Sequence, residues 1–204
     1  AASDVYKRQM EGYFMLSRDE IKEYLKNNLQ EERYNHVLGV AETAKKLAGL
    51  NNVDEDIAEL AGFAHDVAKN MQIDEMKKIM DENNIILSEV EEINKSLWHS
   101  IIAPIVAKEK LGIEDEEILS SLRWHTTGKE DMTTLEKIIY IADMIEPTRD
   151  FDGLEELRNI TFNNLDDGVL AGLTHTMKFL LSKNSLMDEN TVKARNYLLI
   201  HNGK

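Results

Sequence analysis

Apolar side chains recur along most of this chain at intervals of three and four, the spacing that gathers them on one face of a helix. Ile21, Tyr24, Leu25 and Leu29 form the first such stripe. It follows Ser17-Arg18-Asp19-Glu20, a capping box in which a hydroxyl and a carboxylate each take one unpaired amide at the helix start. Val37, Val40, Ala41, Ala44, Leu47 and Ala48 predict a second helix over residues 34–50. Asp54 can cap a third, carrying Ile57, Leu60, Ala61, Ala64 and Ala68. Residues 73–80 read as a short amphipathic helix, and Ser88-Glu89-Val90-Glu91 is a second capping box. A helix over 98–111 ends at Gly112, the expected residue just past a helix; Pro104 is tolerated in it or marks its true start. Residues 115–124 follow, closed by Thr126-Thr127-Gly128. Thr133-Thr134-Leu135-Glu136 opens a helix holding Ile138, Ile139, Ile141, Ala142 and Ile145, and Pro147 ends it. Two or three helices fill the remainder, clearest over 164–182 and 189–200. There is no strand alternation, repeat, linker or low-complexity tract. The expected fold class is all-α, one compact multi-helix domain over residues 15–204, with residues 1–14 a disordered or non-native leader.

Composition narrows this. With 204 residues the chain can bury a sizeable core, and 10 Gly and 2 Pro leave room for long helices. Cys is absent, which excludes disulfides and thiolate metal sites and fits a reducing cytoplasm, the expected location. A net charge of -14 argues against nucleic acid and anionic membrane as partners. No apolar run approaches the length needed to span a bilayer. The first residues mix Asp4, Lys7, Arg8 and Glu11 and do not read as a secretory signal. The amphipathic C-terminal helices offer an interface for a homodimer.

A few ionisable residues break the apolar stripes. His36, the pair His65-Asp66, His99, His125 and Asp143 each sit in an otherwise apolar helical segment. Burying an imidazole or carboxylate is costly unless something satisfies it. Each has a plainer reading taken singly: a hydrogen-bonded structural histidine, or for Asp143 a salt bridge with Arg149. A recurring set drawn only from His and Asp points instead to a shared cation. Mixed nitrogen and oxygen donors suit iron, zinc, manganese or cobalt. Lys69, three residues after Asp66, projects from the same side of a helix and can neutralise phosphate; alone it reads as a solvated lysine. His175 and His201 lie outside any apolar stripe and read as solvated surface residues, while Trp98 and Trp124 read as core packing. No glycine-rich phosphate loop, Gly-x-Ser-x-Gly elbow or His-Glu-x-x-His helix is present.

The ordered set His36, His65-Asp66, His99, His125, Asp143 resembles the HD-domain metal phosphohydrolases. The flanking segments Arg33-Tyr34-Asn35-His36, Phe63–Lys69, Leu97-Trp98-His99, His125–Gly128 and Leu135–Arg149 look like the YqeK branch of that superfamily, and the resemblance covers residues 16–158. It implies an HD-type domain and a symmetrically acting bis(5′-nucleosyl)-tetraphosphatase, which cleaves diadenosine tetraphosphate into two ADP. It implies two metal ions, iron first, with His36, His65, Asp66 and Asp143 on one and Asp66, His99 and His125 on the other. On that reading metal-bound hydroxide attacks an inner phosphorus. Asp66 and Lys69 are the catalytic pair. Lys69, Arg149, Arg33, Thr126 and Thr127 would contact phosphate, although Arg149 also reads as a helix-end partner of Glu146 or Asp150. The alternatives are another nucleotide substrate (a dNTP, a guanosine alarmone or a cyclic dinucleotide) or a non-catalytic nucleotide-sensing module.

Overall fold

The computed structural model describes residues 15–201, and every regular element among them is helical. The helices are α1 (Arg18–Asn28), α2 (Glu31–Leu50), α3 (Glu55–Ala64), α4 (Ile73–Glu82), α5 (Glu89–Ile93), α6 (Trp98–Val106), α7 (Glu116–Trp124), α8 (Thr134–Ile145), α9 (Leu154–Asn163), α10 (Leu165–Ser182) and α11 (Glu189–His201). The expected all-α class is the observed one. The capping boxes at Ser17, Ser88 and Thr133 form with both reciprocal hydrogen bonds, and Asp54 caps α3 through the amides of Asp56 and Ile57. The expectation for residues 1–14 lies outside the described residues. No helix among the described residues is long and apolar enough to cross a membrane.

Helices α2 and α3 lie side by side, and Gly62 explains how closely. A Cβ at Gly62 would come within 2.5 Å of the Ala41 Cα. The two backbones therefore touch, which brings the start of α2, carrying His36, beside the end of α3, where His65 and Asp66 stand. Helix α8 packs on α2, α3 and α7, with Ile138, Ile139, Ile141 and Ala142 wholly buried. Helices α9 and α10 close the far side against α8, and α11 packs on α10. One hydrophobic cluster runs through these layers from Ile21 to Leu198.

Two boundaries differ from the sequence expectation, and both matter for the site. Helix α3 stops at Ala64 rather than reaching Ala68. Residues 65–70 are tight turns instead, with amides bonding back three residues: Val67 to Ala64 (3.1 Å) and Lys69 to Asp66 (2.9 Å). Val67 and Ala68 are buried within those turns, so apolar spacing alone could not tell turn from helix. The expected helix over 98–111 is α6 followed by a π-helical turn, Ala107–Leu111. Pro104, inside α6, brings no amide, so the carbonyl of Ser100 lacks its usual donor and the turn after it widens. Gly112, in the left-handed region at φ 70, ends the turn.

Candidate metal centre

His36 comes from the second turn of α2, His65 and Asp66 from the turns after α3, His99 from the start of α6, His125 from the end of α7, and Asp143 from α8. The four histidines and Asp66 are buried; the Asp143 side chain keeps 20% exposure. The structure brings all six together. His36 Nε2 lies 3.1 Å from Asp143 Oδ1 and 3.9 Å from Asp66 Oδ2. Asp66 is the hub: its Oδ2 is 3.5 Å from His65 Nε2, and its Oδ1 is 3.2 Å from His99 Nε2 and 3.6 Å from His125 Nε2.

The other nitrogen of each ring decides what the inward one can do. Nδ1 of His65, His99 and His125 meets the carbonyls of Gly62 (2.7 Å), Ser96 (2.7 Å) and Leu122 (2.8 Å). Nδ1 of His36 meets the Glu146 carboxylate at 2.9 Å. Each of these partners accepts, so each Nδ1 carries the proton and each Nε2 turns a lone pair inward. This is the arrangement of metal-ligating imidazoles, whose outer nitrogen is held by a carbonyl or carboxylate. His99 Nε2 and His125 Nε2 are 3.2 Å apart, two lone pairs facing each other, and Lys69 Nζ lies 3.1 Å from the former. Such a contact calls for positive charge nearby.

His36 Nε2, His65 Nε2 and Asp66 Oδ1 are buried with no hydrogen-bond partner. Orphaned acceptors of this kind are rare and costly. They fit a divalent cation, and the nitrogen and oxygen mix suits a transition metal. Two sets of donor atoms lie within 4.8 Å of one another: His36, His65 and Asp143, and His65, Asp66 and His125. His65 belongs to both.

The field across the centre is uneven. Burial pushes the His36 imidazole down, but the Asp143 and Glu146 carboxylates against its two nitrogens more than offset this and hold its pKa above the usual value. Burial lowers His65, and it lowers His99 to about 4. Burial opposes ionisation of Asp66, yet His65, His125 and His99 hold its carboxyl well below the usual carboxylate range. Asp143 is likewise held down against burial by His36, His65 and Arg149.

A cleft of about 620 Å³ opens over this cluster, lined by Gln30, Glu32, Arg33, His36, Lys69, Asn70, Glu146, Thr148, Arg149, Asp150 and Phe151. Arg33 Nη1 donates to Asp66 Oδ2 at 2.9 Å. Arg149 bonds Asp143 twice, through Nη2 to the carboxylate and through Nε to the backbone carbonyl at 2.8 Å. Its main partner is thus Asp143, with Glu146 at 3.8 Å, rather than Asp150. Burial lowers the Lys69 ammonium from its usual value.

Other expected residues stand elsewhere. Thr127 is buried and spends its hydroxyl on the Gly128 carbonyl (2.9 Å), while Thr126 shares a hydrogen bond with Ser100 (2.9 Å). Neither lines the cleft. Both follow His125 at the end of α7, where the ring turns inward and the hydroxyls find protein partners. His175 is not a solvated residue: it is half-buried, its ring packed on Phe151. That partner comes from a distant turn, so no local stripe marks it. His201 is exposed, as expected, and Trp98 is buried with its indole N–H on the Glu91 carbonyl (2.7 Å).

Two residues were missed. Glu146 is wholly buried, and besides His36 it accepts from the Thr148 amide (2.7 Å) and hydroxyl (2.6 Å). Gly39, one turn after His36, makes room for it. A Cβ there would stand 2.5 Å from Glu146 Oε2 and 3.3 Å from Pro147 Cδ. A glycine in mid-helix, which costs helix stability, was the available signal.

A family model for the HD domain matches residues 33–148. The symmetrical bis(5′-nucleosyl)-tetraphosphatase of Halalkalibacterium halodurans is 37% identical over 185 residues, covering 91% of this chain and 98% of that one. The enzyme of the same name from Bacillus subtilis is 36% identical, covering 90% and 98%. A crystal structure described as a predicted HD superfamily hydrolase involved in NAD metabolism, from Clostridium acetobutylicum, superposes with a TM-score of 0.88 at 42% identity, covering 91% of this chain and 98% of that one. With the His–Asp cluster in place and similarity along nearly the whole length of these relatives, the chain belongs to the HD-domain family, in the branch that holds the symmetrical bis(5′-nucleosyl)-tetraphosphatases.

Proposed function

We propose that this chain hydrolyses dinucleoside tetraphosphates symmetrically, turning diadenosine tetraphosphate and water into two ADP. The observation that carries this is the set of orphaned inward acceptors beneath a cleft that also holds Arg33, Lys69 and Arg149. The relatives of that name, matched almost end to end, support it.

His36, His65, Asp66 and Asp143 would hold one cation, and Asp66, His99 and His125 the second, with iron the first choice and manganese, cobalt and zinc behind it. Bound in pairs, such ions acidify water and offset charge on phosphate oxygens. The rest of the work falls to side chains. Asp66 would serve both positions through its two oxygens, while the carbonyls of Gly62, Ser96 and Leu122 keep the rings turned inward. Lys69, held 4.0 Å from Asp66 Oδ1, is close enough to meet a non-bridging oxygen of the attacked phosphorus. Arg149 and Arg33 each have guanidinium donors left after binding their carboxylates, and these would hold the neighbouring phosphates. Water oxygen bonds to one inner phosphorus, the bond to the central bridging oxygen breaks, and one nucleoside diphosphate leaves as the other forms.

Product identification tests this. The metal-loaded protein should turn diadenosine tetraphosphate into ADP alone. AMP plus ATP would reject symmetrical cleavage. Faster turnover of a dNTP, a guanosine alarmone or a cyclic dinucleotide would move the site to another substrate, and no turnover of any would leave a nucleotide-sensing role.

A further inference from the structure

The cleft beside the metal centre presents two chemistries. Arg33, Lys69 and Arg149 suit phosphate. Phe151, two residues past Arg149, is the one phenyl ring lining it among the described residues. This ring is half-buried, packed against the hydrophobic core and against the imidazole of His175, with ring centroids 4.6 Å apart and planes 39° apart. It therefore has a fixed place, and part of it borders the cleft.

We infer that Phe151, backed by His175, is the platform on which one nucleobase of the substrate stacks. This rests on the reaction proposed above for its nucleotide. A phenyl ring offers a phosphate chain nothing, because it has no donor and excludes water from charged oxygens. A base has a flat π face, and stacking it on an aromatic ring strengthens binding by about five- to a hundredfold. The residues around the ring support the assignment. Arg149 is anchored on Asp143 and Glu146 is anchored on His36, so residues 146–151 form one short segment tied to the metal centre at its start. A base held by Phe151 and a phosphate held by Arg149 would be registered against the reacting phosphorus by the same few residues. Asp150, Asn70 and Gln30 line the cleft as well and bring polar groups that can meet base or ribose edges.

The competing role for Phe151 is a plain apolar anchor for that segment. Calorimetric titration of the metal-loaded protein with ADP and with pyrophosphate separates the two. Phe151→Leu keeps an apolar side chain and removes the π face. It should weaken ADP about tenfold while leaving pyrophosphate affinity and metal content unchanged. Phe151→Trp should restore ADP binding. Equal loss for both ligands, or no loss for either, overturns the platform. If the Phe151 variants fail to fold, His175→Gln decides: it removes the backing without touching the cleft, and ADP affinity that stays at the wild-type value overturns the inference. Its failure is distinct from failure of the reaction. A chain that binds ADP through Phe151 yet leaves diadenosine tetraphosphate intact keeps the platform and loses the reaction, and two ADP released with no role for Phe151 does the reverse.

Discussion

On one side of the centre His36 stands between two carboxylates, Asp143 and Glu146; on the other, His99 and His125 face each other with Asp66 as their one nearby carboxylate among the described residues. The carboxylate side raises its imidazole pKa, and burial pulls His99 on the imidazole side down to about 4. One side is built to hold positive charge whatever its source, and it already draws Arg149 onto Asp143. The imidazole side offers nitrogen lone pairs, with the Lys69 ammonium beside them. Two cations placed here would meet different hosts: a charged one that protons and guanidinium groups also seek, and one of imidazole nitrogens in which His99 resists protonation.

Asp66 joins the sides, so removing it breaks the comparison most completely. Asp66→Ala should abolish turnover and reduce metal content together, because both positions lose an oxygen and Arg33 loses its partner. Elemental analysis alongside product assay checks this. Two tightly held ions per chain in the variant would show that the sides are independent.

The next effect belongs to the carboxylate side alone. Gly→Ala inside a helix normally stabilises by roughly 0.5–1 kcal/mol. Gly39→Ala should instead displace Glu146, whose carboxylate is pinned by His36 and Thr148 and cannot swing away freely. His36 then loses the partner that orients its ring. Metal affinity at that side should fall about ten- to a hundredfold, and Glu146→Gln should reproduce it with no steric insult. The imidazole side should keep its ion. Manganese binding followed by electron paramagnetic resonance reads both affinities, and equal weakening of the two would end the idea that they are separate hosts.

Lys69 tests the imidazole side. Lys69→Ala removes an ammonium 3.1 Å from His99 without removing a ligand. Metal content should stay at the wild-type level while turnover slows about tenfold or more, in the range set by loss of one charge-stabilising donor. A metal-free Lys69→Ala protein would mean that Lys69 holds the ring rather than the phosphate.

Much of this was legible in the chain. Capping boxes at Ser17, Ser88 and Thr133 mark true helix starts because each is satisfied within four residues. The six-residue His–Asp set stood out because ionisable groups inside apolar stripes have few explanations. The contacts that escaped reading are long-range. Glu146 looked like a helix-end partner for Arg149, since its ring partner His36 lies 110 residues away. Gly39 could not be interpreted until that carboxylate was placed beside it. Thr127 looked like a phosphate donor only while its own neighbour, the Gly128 carbonyl, was unpositioned. His175 lacked an apolar stripe because the face it covers belongs to Phe151.

Acid sharpens the comparison with the smallest perturbation. In metal-free protein the raised His36 pKa means that, below it, a cation must displace a proton from Nε2, so affinity there falls as pH falls, by up to about tenfold per unit. His99, pulled down to about 4, carries no competing proton until the solution approaches that value. Lowering the pH from 7 to 6 should therefore weaken manganese at the carboxylate side by up to about tenfold, with no competing proton on His99 in this interval. His36→Gln removes the titrating ring, and the binding that remains should lose its slope across this interval. A slope that survives in His36→Gln would place the competing proton on the imidazole side, and the two hosts would then differ in charge but not in their response to acid.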